Sequence, residues 1–204
     1  MNARLYTLQS RLAEGSVEHN DAVVIQSEIN RLDQILKDFQ RLARPPEPRL
    51  ASIKVDDLLR EVQELMEPLL KEQSIQLKRE LTHDVELSAD PQQLKQVLLN
   101  LVQNAAESIG ENGQITLRSR RDTLLLRGER TDVVVIEVED NGAGIPLDVQ
   151  ERLFDPFFST KENGTGLGLA IAARIIDRHE GALVFETEQG RGTTFGIVLP
   201  TDKK

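Results

Sequence analysis

Three prolines within four residues, Pro45, Pro46 and Pro48, divide this 204-residue chain. Proline fixes φ, lacks an N–H and biases the residue before it away from helix. No helix therefore runs through Arg44-Pro45-Pro46-Glu47-Pro48. Two different hydrophobic patterns lie on either side. Residues 1–44 contain no proline and a single glycine, Gly15. Leu5, Leu8 and Leu12 recur there at helical spacing, as do Ile25, Ile29, Leu32, Ile35, Leu36, Phe39 and Leu42. The polar stretch Glu14 to Asn20 interrupts the pattern. This predicts an antiparallel helical hairpin with its turn at those residues. The second helix carries a nearly continuous apolar stripe that a lone hairpin cannot cover, which predicts a homodimer through this region, packing of both helices on the following domain being the alternative.

Beyond a linker at 45–50, residues 51–204 mix strand and helix signals. Val55 to Gln73 has helical periodicity with Pro68 inside it, a point where a kink or break is expected. Ile75, Leu77 and Leu81 suggest a strand. Asp90-Pro91-Gln92-Gln93 starts a helix: Asp is the N-cap, Pro takes the first turn and Gln follows three residues on. Ile115 to Arg118 and Val133 to Glu139 read as strands. Val133-Val134-Val135-Ile136 shows no polar alternation, so its strand is expected to be central and covered on both faces. Leu167 to His179 is a helix. Leu183 to Glu186 and Thr193 to Leu199 close as a hairpin around Gly190-Arg191-Gly192.

Composition narrows the function classes. Aromatic residues are 3% of the chain, so the core is aliphatic. Lys and Arg number 25 against 34 Asp and Glu, a net charge of −9 that offers no basic footprint to nucleic acid or to an anionic membrane surface. The longest apolar run, Leu169 to Ala173, is five residues, too short to span a bilayer. Met1 begins no signal-peptide pattern. With no Cys, thiolate catalysis and Cys-ligated metals are excluded. His19, His83 and His179 have no metal-ligand spacing. A cytoplasmic location is the expectation.

Four motifs carry chemistry. Asn100 and Asn104 lie one turn apart on one helix face; an amide oxygen is a neutral hard ligand suited to Mg2+ beside phosphates, and a pair that braces a turn or a neighbouring helix is the alternative. Asp140-Asn141-Gly142-Ala143-Gly144 follows the central strand. Its glycines allow close backbone approach, and its Asp can accept from an exocyclic amine; a plain tight turn is the alternative. Phe154-Asp155-Pro156-Phe157-Phe158-Ser159-Thr160-Lys161 gathers three of the six Phe. It reads as a mobile segment that docks its aromatics on a ligand, with Lys161 in reach of a terminal phosphate or else solvated. Gly164-Thr165-Gly166-Leu167-Gly168-Leu169 opens a helix, where free N–H groups face an anion. A Phe-rich polar loop precedes it, unlike a dinucleotide fold.

In this order the motifs resemble the ATP-binding catalytic domain of sensor histidine kinases, of the GHKL superfamily, over roughly Leu50 to Pro200. Asn100 to Asn104 is similar to the N box, Asp140 to Gly144 to the first glycine box, Leu153 to Lys161 to the F box and Gly164 to Leu169 to the second glycine box. Gly190-Arg191-Gly192-Thr193 is similar to a further glycine motif. Phe-Phe-Ser-Thr-Lys most resembles the nitrogen-regulator type. The resemblance implies an α/β (α+β) fold, a two-layer Bergerat-type ATP-binding sandwich after the helical hairpin. It implies ATP and Mg2+ as cofactors. Asp140 would read the adenine amine, with Gly142, Gly144, Ile145 and Thr193 lining that end. Asn104 would ligate Mg2+, with Asn100 on the phosphates. Lys161 would neutralise γ-phosphate charge. Phe154 and Phe158 would line the nucleotide, and Gly164, Thr165, Gly166, Leu167, Gly168 and Leu169 would form the lid hinge and phosphate contacts. The related ATPases place a water-activating Glu where Asn100 stands, and an amide is no general base.

The phosphoryl acceptor of such kinases lies in a His-Glu/Asp-x-x-Asn/Thr-Pro motif on the first hairpin helix. His19 precedes Asn20 in the expected turn, His83-Asp84 lacks the downstream Pro, and His179 ends a helix, where it is expected to be structural. The expectation is a chain that begins inside that first helix, after the acceptor and the sensor domain, with a membrane anchor of the longer protein among the absent N-terminal segments. A response regulator receiver domain is the implied partner. The alternatives are a GHKL-type protein Ser kinase, against which the hairpin argues, and a non-catalytic ATP-dependent dimeric switch.

Overall fold

A computed structural model describes residue 7 and residues 12–43, 45–81, 85–161 and 164–201, with the backbone alone for residue 34. The chain divides into two compact units, Met1–Arg44 and Pro45–Lys204. Of the expected first helix, residues 1–6 and 8–11 fall outside the described residues, as do Arg44 and His83; Thr7 is helical.

In the first unit α1 spans Val17–Ala43. The expected turn over Glu14 to Asn20 is shorter than the polar composition suggests. Gly15 has φ +83°, and Ser16 then caps the helix: its hydroxyl accepts from the His19 N–H at 3.1 Å, while its carbonyl accepts from Asn20. His19 thus sits in the first turn of α1, not in a loop. The stripe along α1 leaves Ile25, Leu32 and Leu36 at least half exposed, at 50%, 58% and 58%.

The second unit runs β1 (Ala51–Lys54), α2 (Val55–Glu72), β2 (Gln76–Leu81), β3 (Glu86–Ala89), α3 (Pro91–Ile109), β4 (Gln114–Leu126), β5 (Glu129–Asp140), a one-turn α4 (Leu147–Gln150), α5 (Gly168–Arg178), β6 (Ala182–Glu188) and β7 (Gly192–Pro200). A five-stranded sheet has the order β2-β4-β5-β7-β6, with only β2–β4 parallel. The antiparallel pair β1–β3 forms a separate small sheet. β5 is the middle strand, and Val133, Val134, Val135 and Ile136 are all buried. Leu94, Leu98, Leu101 of α3 and Ile171, Ile176 of α5 supply the helical side of the aliphatic core. Val133, Val135 and Val198 form a buried cluster on the other face, covered by Leu124, Leu126 and Ala182.

Local chemistry departs from the expectations at three places. α2 passes through Pro68 without ending. β4 extends to Leu126, eight residues past Arg118, because Arg120 pairs across the sheet with Glu137 and Leu124 and Leu126 pack on the buried Val133, Val135 and Val198 cluster. Its return into β5 is a two-residue turn, Arg127-Gly128, with φ +51° and +89°, as a primed hairpin turn requires. The third place is the start of α3. The Asp90 carboxylate accepts from Gln92 and Gln93 N–H at 3.0 and 3.1 Å. Gln93 does not return the bond; its amide donates to the Pro46 carbonyl. The Asp90 N–H donates instead to His179 Nε2 at 3.0 Å. His179 Nδ1 lies 2.8 Å from the Ile175 carbonyl, so both ring nitrogens are engaged and the buried imidazole is structural. The Pro-rich stretch is fastened to this unit too, through Arg49 N–H to Asp90 and Arg178 to Glu47. No described helix is long and apolar enough to cross a membrane.

Candidate active site

Helix α3 is the spine of the site. Asn100, Asn104 and Ser108 are spaced four residues apart, so they share one face and span about 12 Å along the axis. Each touches a different motif. At Asn100 the N-terminus of α5 arrives: a Cβ on Gly168 would collide with the Asn100 side-chain oxygen. At Asn104 the amide oxygen accepts from Lys161 Nζ at 3.1 Å. At Ser108 the carbonyl accepts from Ala143 N–H at 3.3 Å, and a Cβ on Gly142 would strike the Ser108 hydroxyl. Three motifs far apart in sequence are thereby brought to one helix face.

The end beyond Ser108 is closed and acidic. Asp140 is buried, and its Oδ1 accepts from Gly142 N–H at 2.8 Å. Burial pushes its carboxyl above the ordinary value; N–H bonds from Gly142 and Thr193 oppose this, and nearby Glu139 reinforces it. The glycine loop is bolted to the β6–β7 turn. Gly190 N–H donates to Ala143 at 2.7 Å. Ile145 N–H donates to Thr187 Oγ1 at 2.9 Å. Gly144 has φ +71°, and a Cβ there would enter the Glu188 backbone.

The other end is cationic and open. No side chain caps α5, and its first turn carries no acidic residue, so its leading N–H groups face outward with the helix dipole. Beside them the Asn100 Nδ2 is buried with no hydrogen-bond partner among the described residues. An orphaned donor and two neutral amide oxygens are a donor set for phosphate oxygens and for a hard cation that shares them. Among the described residues no group of three His, Cys, Asp or Glu can hold a metal by itself.

The segment between the ends is folded upon itself. Phe154 meets Phe185 edge-on at 5.9 Å, and Phe185 continues to Phe195 at 6.0 Å. Arg152 stacks over Phe158 at 4.2 Å. Phe157 is exposed with φ +67°, and its N–H donates to Gly166 at 3.0 Å. Ser159 Oγ accepts from Lys161 N–H at 3.1 Å, and Gly164 N–H donates to the Lys161 carbonyl. Thr165 Oγ1 accepts from Leu167 N–H at 3.3 Å. Through Phe185, Phe154 is anchored to the sheet. The Leu167 side chain is fully buried core, so only its backbone lies at the surface of the site, and Leu169 is half-buried.

Three participants were not singled out from sequence. Ser108 continues the Asn100–Asn104 spacing by one more turn, a signal that was legible. Glu107, ion-paired to Lys161, and Thr187 owe their places to tertiary folding and leave no local trace.

The family described as histidine kinase-, DNA gyrase B-, and HSP90-like ATPase matches residues 89–203. Sporulation kinase E of Bacillus subtilis is 34% identical over 194 residues, 93% of this chain and 25% of that protein. The sensory histidine kinase/phosphatase NtrB of Salmonella typhimurium is 50% identical over 121 residues, 58% of this chain and 34% of that protein. Its likeness is confined to that stretch, whereas relatives of other kinds match over longer ones. The nucleotide-free catalytic domain of histidine kinase ThkA superimposes with a TM-score of 0.66 at 37% identity, covering 75% of this chain and 96% of that one. ThkA in complex with response regulator protein TrrA gives a TM-score of 0.74 at 29% identity, covering 98% and 56%. The chain spans 25–40% of the length of the first curated relatives it matches. It belongs to the histidine kinase-, DNA gyrase B-, and HSP90-like ATPase family, and its second unit is a catalytic domain of the sensor histidine kinase type.

Proposed function

We propose that this chain is the catalytic core of a two-component sensor histidine kinase, transferring the γ-phosphoryl group of ATP to a His of a dimerisation helix for relay to a response regulator. The observation that carries this reading is the α3 face, which joins an acidic, closed end to a cationic, open one over about 12 Å, the reach of a nucleoside triphosphate. Asp140 accepts the adenine amine, and Gly142 and Gly144 keep the backbone close to the base. Asn100 Nδ2 and the α5 N-terminus donate to phosphate oxygens. Lys161 balances charge at the γ-phosphate, and the segment from Phe154 to Gly168 excludes water. Asn104 Oδ1 is the ligand for Mg2+, which supplies charge neutralisation across the phosphates when bound. The acceptor nitrogen attacks the γ-phosphorus as the bond to the ADP oxygen breaks. The chain positions these groups and stabilises charge rather than forming bonds itself.

At the position where the related ATPases carry a water-activating Glu this chain has Asn100, an amide that is no general base, which favours transfer over turnover to free phosphate. Ile25, Ile29, Leu32 and Leu36 alternate by four and three, a seam suited to a second copy of α1. A homodimer, a receiver-domain partner and a cytoplasmic site of action complete the proposal. Calorimetric titration with ATP, with and without Mg2+, tests its binding half. A chain that binds no adenine nucleotide contradicts it.

A further inference from the structure

Asp140, Thr193 and Thr187 form one row across β5, β7 and β6. The register pairs Asp140 with Thr193 and Thr193 with Thr187, and directly paired residues share a sheet face. The hydroxyl protons in this row can be assigned by counting. A Thr hydroxyl has one proton. Ile145 N–H donates to Thr187 Oγ1 at 2.9 Å. The Gly192 carbonyl, 3.1 Å from Thr187 Oγ1, can only accept, so it takes the Thr187 proton. The third partner of Thr187 Oγ1 is Thr193 Oγ1 at 3.0 Å. In that pair Thr193 must be the donor. Its hydroxyl proton is then directed at Thr187, and the Thr193 hydroxyl oxygen has only lone pairs left to offer a ligand bound beside Asp140. Both side chains are buried, at 4% and 5% exposure, so solvent does not reset their polarity.

We infer that Thr187 determines base specificity: by taking the Thr193 proton it leaves Asp140 and Thr193 as adjacent acceptors, which fit the exocyclic amine of adenine and repel the carbonyl oxygen of hypoxanthine or guanine. The inference rests on the nucleotide reading above. Thr187 acts through Thr193 and is a positioning residue, since its own oxygen is fully engaged by protein groups. Removing its hydroxyl frees the Thr193 proton to turn outward and donate to a carbonyl oxygen.

The test is titration of the whole chain with ADP and with IDP, which carries oxygen in place of the amine. Wild type is expected to prefer ADP. Thr187→Val narrows the ADP-to-IDP preference by about tenfold, the value of one hydrogen bond, whereas Thr187→Ser keeps it. Equal weakening of both ligands by Thr187→Val, with the ratio unchanged, overturns the inference, because a merely structural role predicts that outcome. If Thr187→Val does not fold, Thr193→Val supplies the same readout: ADP binding falls and IDP binding does not, and an equal loss for both overturns it. Wild type binding ADP and IDP alike also overturns it while leaving the nucleotide reading standing. Wild type binding neither overturns that reading, and this inference with it.

Discussion

Lys161 donates to the Oδ1 of Asn104 across 3.1 Å, and its ammonium is also ion-paired with Glu107. The oxygen proposed as a cation ligand is therefore held by the lysine proposed to meet the γ-phosphate. A nucleotide and its cation must draw Lys161 away from both partners. The two charged side chains are 44% and 40% exposed, so the pair is worth little in water, about 0.2–1 kcal/mol. Glu107→Gln removes this competition and a negative charge beside the phosphates. Affinity for Mg-ATP is expected to rise about two- to fivefold at low salt, with the difference fading as ionic strength grows. An unchanged or weakened affinity by calorimetry contradicts the competition.

Asn104→Ala removes the only ligand to Mg2+ that the proposal names. The side chain is half-buried and polar, so thermal stability is expected to hold within about 0.5 kcal/mol. Nucleotide affinity should become the same with Mg2+ and with a chelator. A variant whose affinity still responds to Mg2+ like wild type removes Asn104 from that role.

Asp140→Asn separates stability from binding. Burial raises the folded-state pKa of this carboxyl above its ordinary value of 3.8. The folded state then binds the proton more tightly than the unfolded one, so the contribution of this group to stability is present below pH 3.8 and is lost as pH rises through the folded pKa. The amide keeps the bond from Gly142 and carries no charge. Melting temperature at neutral pH is expected to increase, with the gain vanishing toward the ordinary carboxylate pKa. ADP affinity should fall about ten- to a hundredfold, the value of a charged hydrogen bond lost at the amine. A melting temperature that drops at neutral pH argues against the burial penalty.

Gly166→Ala tests the lid. Gly166 has φ +65°, and a Cβ there would lie 2.5 Å from the Phe157 carbonyl carbon. Strain of about 1–3 kcal/mol follows, localised to a segment outside the sheet. Phosphoryl transfer is expected to slow at least about tenfold while the global unfolding midpoint moves little. Full transfer by this variant would show that the positive φ is dispensable.

Much of this architecture is legible in local chemistry because single residues enforce it. Pro45 and Pro46 end a helical pattern without reference to the rest of the chain. Asp90 caps α3 with its own carboxylate, and the uninterrupted Val133 to Ile136 run fits only a strand covered on both faces. Less is legible where partners come from afar. The stretch of β4 from Ser119 to Leu126 declares itself a strand only once Glu137 stands across from Arg120 and Leu124 and Leu126 pack on the Val133 cluster. Ser16 hides as a cap within a polar stretch, which shifted the start of α1 and the position of His19. β1 and β3 are four residues each, too short for a period to show. The candidate site divides the same way. The motif residues stand out by type and spacing, while Glu107 and Thr187 become visible only once Lys161 and Ile145 are folded against them.

The most direct test of the central claim is phosphoryl transfer itself. The chain is incubated with Mg-ATP and a separately supplied helical hairpin carrying a His-Glu-x-x-Asn-Pro acceptor, and both are weighed by intact-mass spectrometry. The account predicts one phosphoryl group on the hairpin, labile to acid as a phosphohistidine is, and none on this chain, with little free phosphate released. A phosphoryl group on the chain, or ATP hydrolysed with the hairpin unmodified, would contradict it.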